Sequence, residues 1–143
     1  MKFVNKLAAA TLLATSLLLS GCGQGQIGAV DVNKVMTEAP RVKTLMAEAE
    51  TKVKEAQQKF EQDRAAKPDM TEEEAAKLQI DFQRKLEGIN QAYTSQIQNR
   101  MNVVIEEISR EKNIDIVIAN PADQKMLYHG GIDVTDEVIK KMQ

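Results

Sequence analysis

Three features of this sequence carry side chains fit for chemistry. They are Cys22, its only cysteine, in the stretch LLLSGCGQGQ; His129, its only histidine; and the acidic run Glu72-Glu73-Glu74. A thiolate can be a nucleophile or a soft metal ligand, an imidazole a general base, and adjacent carboxylates ligands for a hard cation. Each needs company that the sequence does not supply. One cysteine excludes a disulfide within the chain and leaves a thiolate cluster without partners. One histidine excludes a multi-histidine metal site, and at the end of an expected strand, after Tyr128, a surface imidazole is the plainer reading. The acids follow Thr71, so Thr71 to Glu74 reads as a capping box with negative charge at the positive end of a helix. No phosphate-binding loop or nucleophile elbow appears. These residues point away from an enzyme and call for no cofactor and no metal.

Cys22 is better explained by what precedes it. Met1 to Lys6 holds two lysines and no acid, and Leu7 to Leu19 is an apolar run of thirteen residues, short of the roughly twenty that span a bilayer as a helix. This pattern reads as an export signal. Leu19-Ser20-Gly21-Cys22 resembles the lipobox of bacterial lipoproteins. That resemblance implies Cys22 as the first mature residue, with diacylglycerol on its sulfur and an acyl chain on its amino group, the two signals that stable anchoring requires. A cysteine that merely borders an ordinary cleavage site is the alternative. The expected division is a signal peptide at 1–21, a lipid tether at 22–26 and one domain at 27–143. Gly23 to Gln26 reach about 17 Å at full extension, which sets the domain against a membrane and facing the periplasm. Gly23 after the cysteine favours the outer membrane over the inner.

Without residues 1–21 the chain has 122 residues and a net charge of −4. A negative balance does not suit nucleic acid or anionic head groups. From Arg41 to Lys112 the composition is dominated by Ala, Glu, Gln and Lys, which favours long helices. Ile27 to Val32 is expected as a strand, Asn33 as the cap of a short helix through Glu38, and Pro40 as the start of a longer one. Val42, Met46, Ala49, Val53, Ala56 and Phe60 draw an apolar stripe along that helix. Pro68 breaks it, and residues 66–70 form the expected tip of a helical hairpin. The returning helix carries Leu78, Phe82, Leu86, Ile89, Tyr93, Ile97, Met101, Val104 and Ile108. Gly88 interrupts that helix at a cost of roughly 1 kcal/mol against Ala, either as a point of close helix approach or as a hinge. Beyond Lys112, Ile114, Ile116 and Ile118 are expected on one face of a strand, Lys125 to His129 as its pairing strand, and Thr135 near the start of a closing helix.

The reading is thus an α+β chain: a long antiparallel helical hairpin, the arm (40–112), on a small β body (27–39 and 113–143). So small a β part cannot shield a core alone, so several copies are expected to close one body. Its predicted core comprises Ile27, Val30, Val32, Ile114, Ile116, Ile118, Leu127, Val134 and Val138.

Two segments resemble the Skp/OmpH family of periplasmic chaperones. They are IGAVDVNKVMTEAP, and NIDIVIANPADQKMLYHGGIDVTDEVIKKM with its D-x-T-x-x-V helix start at Asp133, Thr135 and Val138. The resemblance implies a jellyfish-shaped homotrimer whose flexible arms enclose unfolded outer-membrane proteins without using a nucleotide. Phe60, Met70, Leu78 and Phe82 then become candidate client contacts on the arm. The chain departs from the best-known members, which are soluble and strongly basic, and no lipopolysaccharide-binding residues carry over. The competing expectation is a lipid-anchored scaffold or spacer of the cell envelope, which needs the same anchor and helices but no client cavity.

Overall fold

A computed structural model describes residues 25–119 and 130–143. In chain order the elements are strand β1 (Gln26–Val30), helices α1 (Val32–Glu38), α2 (Pro40–Ala65) and α3 (Glu72–Lys112), strands β2 (Ile114–Ala119) and β3 (Ile132–Asp133), and helix α4 (Thr135–Lys141). The strands form one sheet in the order β2-β1-β3, and both neighbours run parallel to β1. The arm is therefore the crossover between two adjacent parallel strands. The expected strand at Lys125–His129 and the core position Leu127 lie outside the described residues.

The first strand ends earlier than its β-forming residues suggest, because Asp31 takes the cap of α1. Its carboxylate accepts from the Lys34 amide at 3.0 Å, so the helix starts at Val32 and Asn33 is not the cap. Pro40 occupies the first turn of α2, as expected. At the far end of the hairpin the Thr71 hydroxyl accepts from the Glu74 amide, and the Glu74 carboxylate accepts from the Thr71 amide at 3.0 Å. The Thr71 amide and the Thr71 hydroxyl, both within donating distance of the Glu74 carboxylate, hold that carboxyl below its ordinary value, which assigns this acid to capping. Asn113 turns the chain out of α3 in the left-handed conformation (φ 54°), a region that Asn tolerates better than most residues.

The face of β2 differs from the expected alternation. Gln26 pairs with Ile114 but Ile27 pairs with Ile116, so Asp115 is an extra residue, and a bulge shifts which side chains point inward. The Asp115 carboxylate accepts from the Gln26 amide at 2.9 Å. Ile114 and Val117 therefore share the core face, whereas Ile116 is 59% exposed and Ile118 is half-buried on the other side. Ile27, paired with Ile116, is 41% exposed. A Cβ on Gly28 would lie 3.2 Å from methyl groups of both Ile114 and Val117, so any larger residue in the central strand would press those side chains of β2 outward.

The core sits where this sheet face meets α1, α4 and the root of the arm. Val35, Val42, Val104, Val134, Val138 and Met142 are fully buried, with Leu45 and Ile108 nearly so. Val30 joins them, and Val32 packs against their edge. Helix α4 is seated at both ends. The Val134 amide donates to the Ala29 carbonyl, and the Asp31 amide donates to the buried Thr135 hydroxyl at 2.9 Å. At the other end the Arg41 amide, an orphan donor of the first turn of α2, reaches the Met142 carbonyl at 3.0 Å, and the Arg100 guanidinium reaches the Lys141 carbonyl at 2.9 Å. These contacts satisfy groups that helix ends leave open.

Two outcomes follow for stability. Replacing Gly28 with Val should cost about 1–3 kcal/mol by overpacking, read as a lower denaturant midpoint; an unchanged midpoint would show that β2 can yield. Bonds from the Thr135 hydroxyl and amide hold the Asp133 carboxyl below the usual carboxylate range. The stability this provides is present above the unfolded value of about 3.9 and is lost as pH falls through the lower folded value. Asp133→Asn should therefore flatten the acid limb of the stability profile, and an acid limb like that of the wild type would count against the assignment.

Candidate functional site

The arm narrows in packing as it leaves the body. Of α2 only Val42 and Leu45 are buried, and of α3 only Ile89, Ile97, Val104 and Ile108. Leu45 lies outside the stripe read from the sequence, which instead passed through Met46, and Met46 is 51% exposed. The reason is local: at its root α2 packs on α3 and on the body together, so two adjacent faces of that helix are covered. A hydrophobic residue three positions after Val42 was the available signal.

Further out the seam opens. Between the buried Leu45 and Ile97 on one side and a phenylalanine pair on the other lies a groove of about 820 Å³. Met46, Ala49 and Val53 line it from α2; Leu86, Ile89, Tyr93 and Ile97 from α3; and Met36 closes its inner end. Ala49 and Ala56 supply too little side chain to fill the seam, and Met46 and Val53, the latter 37% exposed, stand on its rim. Glu50, Lys54, Gln57, Glu87, Asn90 and Thr94 complete the edge. This apolar groove with a polar rim was not anticipated as a site.

The groove ends at Phe60 and Phe82, whose rings stack with centroids 4.5 Å apart and an interplanar angle of 22°. Both are half-buried. Leu78 joins them around a smaller hollow of about 300 Å³, and Met70 shares a further depression with Leu78 at the tip. The structure thus brings three of the four candidate client contacts together, with two of them engaged with each other. Offset aromatic pairs contribute beyond their buried area, so the stack clasps an outer arm that has no fully buried side chain.

Electrostatics along the outer arm is local. Lys52 pairs with Glu55, Lys59 with Asp63, and Arg84 with Asp81, each within one helix; the bond to Glu55 raises the Lys52 pKa. Such exposed pairs neutralise each other and leave a weak long-range field. Among the described residues no group of three or more His, Cys, Asp or Glu side chains could hold a metal, and no helix is long and apolar enough to cross a membrane. Cys22 and His129 lie outside the described residues.

Gly88 is exposed, and a Cβ built there meets nothing within 4 Å. It does not serve close helix approach, since α3 runs through it facing open space. Of the core positions expected from sequence, Val30, Ile114, Val134 and Val138 are buried within one chain, whereas Ile27, Ile116 and Ile118 line the outer sheet face. With no neighbour to offend, Gly88→Ala should raise stability by about 0.5–1 kcal/mol through helix propensity alone, read from denaturant unfolding. A destabilised variant would mean that the arm visits a conformation only glycine permits.

Residues 61–142 match the family described as outer membrane protein (OmpH-like). No curated protein matches the chain. The matched span covers the last turn of α2, the tip, the whole of α3 and the closing part of the body. The remaining strand, β1, is the centre of the sheet that the matched residues complete. The OmpH-like family is associated with periplasmic chaperones of outer-membrane proteins. By its match over residues 61–142, with which its helical arm and small sheet are consistent, the chain belongs to the OmpH-like family.

Proposed function

We propose that this protein is an ATP-independent holdase of the cell envelope, which keeps unfolded outer-membrane proteins from aggregating by holding them against its helical arms. The observation that carries this reading is the packing of the arm: a long hairpin with a buried root, an open apolar groove and a single aromatic clasp further out. Many weak apolar contacts on an adaptable surface suit clients of varied sequence better than one fixed interface does. The role needs no nucleotide, because binding and release rest on contact area rather than on chemistry.

The working form is a homotrimer, with the outer sheet face around Ile27, Ile116 and Ile118 as the surface that copies share. Exposed apolar sheet faces of this kind mark association sites. Cys22 is its lipid attachment point, on the outer membrane in preference to the inner. Since Gln26 is already the first residue of β1, the leash shortens to Gly23–Gly25 and keeps the body close to the lipid. Gly88, the weakest helix former in α3, is the point where the arm bends while staying helical.

The test uses residues 22–143 carrying Cys22→Ser, which leaves out the signal segment and removes the sulfur that would take diacylglycerol. Sedimentation should give the mass of a trimer, and equimolar trimer should suppress light scattering by an outer-membrane β-barrel protein diluted from urea. A monomer, or a trimer without effect on scattering, would overturn the holdase reading in favour of an envelope scaffold.

A further inference from the structure

Helix surfaces of this chain are mostly solvated by charge: from Glu72 to Glu87, α3 carries eight charged residues, and 28% of the whole sequence is charged. From Gly88 to Asn99 there is none. Apart from Ala92, the exposed side chains of this band are carboxamides and hydroxyls, and all of these but Gln96 fall in two rows at a spacing of four residues. One row is Asn90, Thr94, Gln98 and Asn102; the other is Gln91, Ser95 and Asn99. Asn90 and Thr94 belong at once to the first row and to the rim of the apolar groove, and Asn90, Gln91, Thr94, Ser95 and Gln98 line a shallow depression beside it.

The spacing matters. Four residues of helix advance about 6 Å, and two residues of an extended strand advance about 6.6 Å. A row of this kind therefore stays nearly in step with alternate residues of an extended chain lying along it. Carboxamides and hydroxyls both donate and accept, so each step can meet a backbone N–H or a backbone C=O whatever the sequence. A charged face would select by side-chain charge instead. Charges on the groove itself are confined to Glu50 and Lys54 on α2 and to Glu87 at the outer end of the band.

We propose that the Asn90–Asn102 face of α3 is a docking ladder for an extended, uncharged segment of unfolded polypeptide. The segment is gripped through its backbone, and the adjoining groove receives the apolar side chains of one of its faces. This assignment rests on the holdase reading and names where and how the client is held: between the arm root and the phenylalanine cluster, without net electrostatic attraction, and not at that cluster. The absence of charge matches a segment that lacks charge, because burying an unpaired charge on either side would be costly.

The test measures binding of a dye-labelled, urea-unfolded eight-stranded β-barrel protein to residues 22–143 carrying Cys22→Ser. Thr94→Glu and Gln98→Glu lie on an exposed helix face and should leave the circular dichroism unchanged while weakening binding about tenfold. Thr94→Gln, which keeps a donor and an acceptor, should bind like the parent, as should Gln79→Glu on the outer arm. Parent affinity should change by less than about twofold between roughly 50 mM and 500 mM salt. Glutamate variants that bind as tightly as a binding-competent parent would overturn the ladder and leave the holdase reading standing. A steep loss of parent affinity with salt would do the same, and so would a changed assembly mass in Thr94→Glu, which would make the face a contact between copies. A parent that binds no client would overturn both readings.

Discussion

Two parallel strands side by side cannot be joined by a tight turn, since the chain must travel back along the sheet before it can pair again. The pairing of β1 with β2 imposes that journey here, and α1, α2 and α3 are how the chain makes it. In a common crossover the helix lies flat on the sheet and is consumed by the core. In this protein the crossover leaves the sheet, runs out along α2 and returns along the forty-one residues of α3, on the order of 60 Å. Both ends of the excursion are pinned to the same small body. Pro40 and Asn113 mark where the chain leaves and re-enters, and α4 clasps both helices of the root through the Met142 and Lys141 carbonyls.

That arrangement grades stability along the arm. Complete burial is confined to the body and the root, where Val42, Leu45, Val104 and Ile108 share one core with α1, α4 and the sheet. Beyond Ile89 the helices hold each other through half-buried side chains, chiefly the stacked Phe60 and Phe82. Segments with few buried apolar contacts open at low free energy without unfolding the rest. The groove lies at the boundary between the two regimes, and so it has a rigid inner end and a yielding outer one. The uncharged band of α3 begins at the same boundary.

Much of this was legible in the sequence because it depends on local chemistry. Thr71 with Glu74, Pro40, Pro68 and the apolar row of α3 each announce their element through a cap, a breaker or a period, and the structure places them accordingly, whereas the row of α2 missed the buried Leu45. What was hidden depends on distant partners. Asp31 and Asn33 are both good caps, and only the buried Thr135 hydroxyl waiting for the Asp31 amide decides between them. The alternation of Ile114, Ile116 and Ile118 is a sound strand signal, yet one bulged residue, held by the Gln26 amide, reverses its meaning halfway along. The two-residue strand β3 is too short to carry a pattern. The groove left no signature of its own, because it arises where small residues on one helix fail to fill the space facing large ones on the other.

The same crossover bears on how the chain can fold. Gln26 finds its partner at Ile114, eighty-eight positions later, and closing so long a loop from a random coil is entropically slow. The hairpin shortens that search, because α2 and α3 form through contacts close in sequence, and once they zip from the tip the strand ends arrive together at the root. The arm is then a folding guide before it is anything else. The body cannot be complete before then, since its central strand pairs with residues from the far end of the chain.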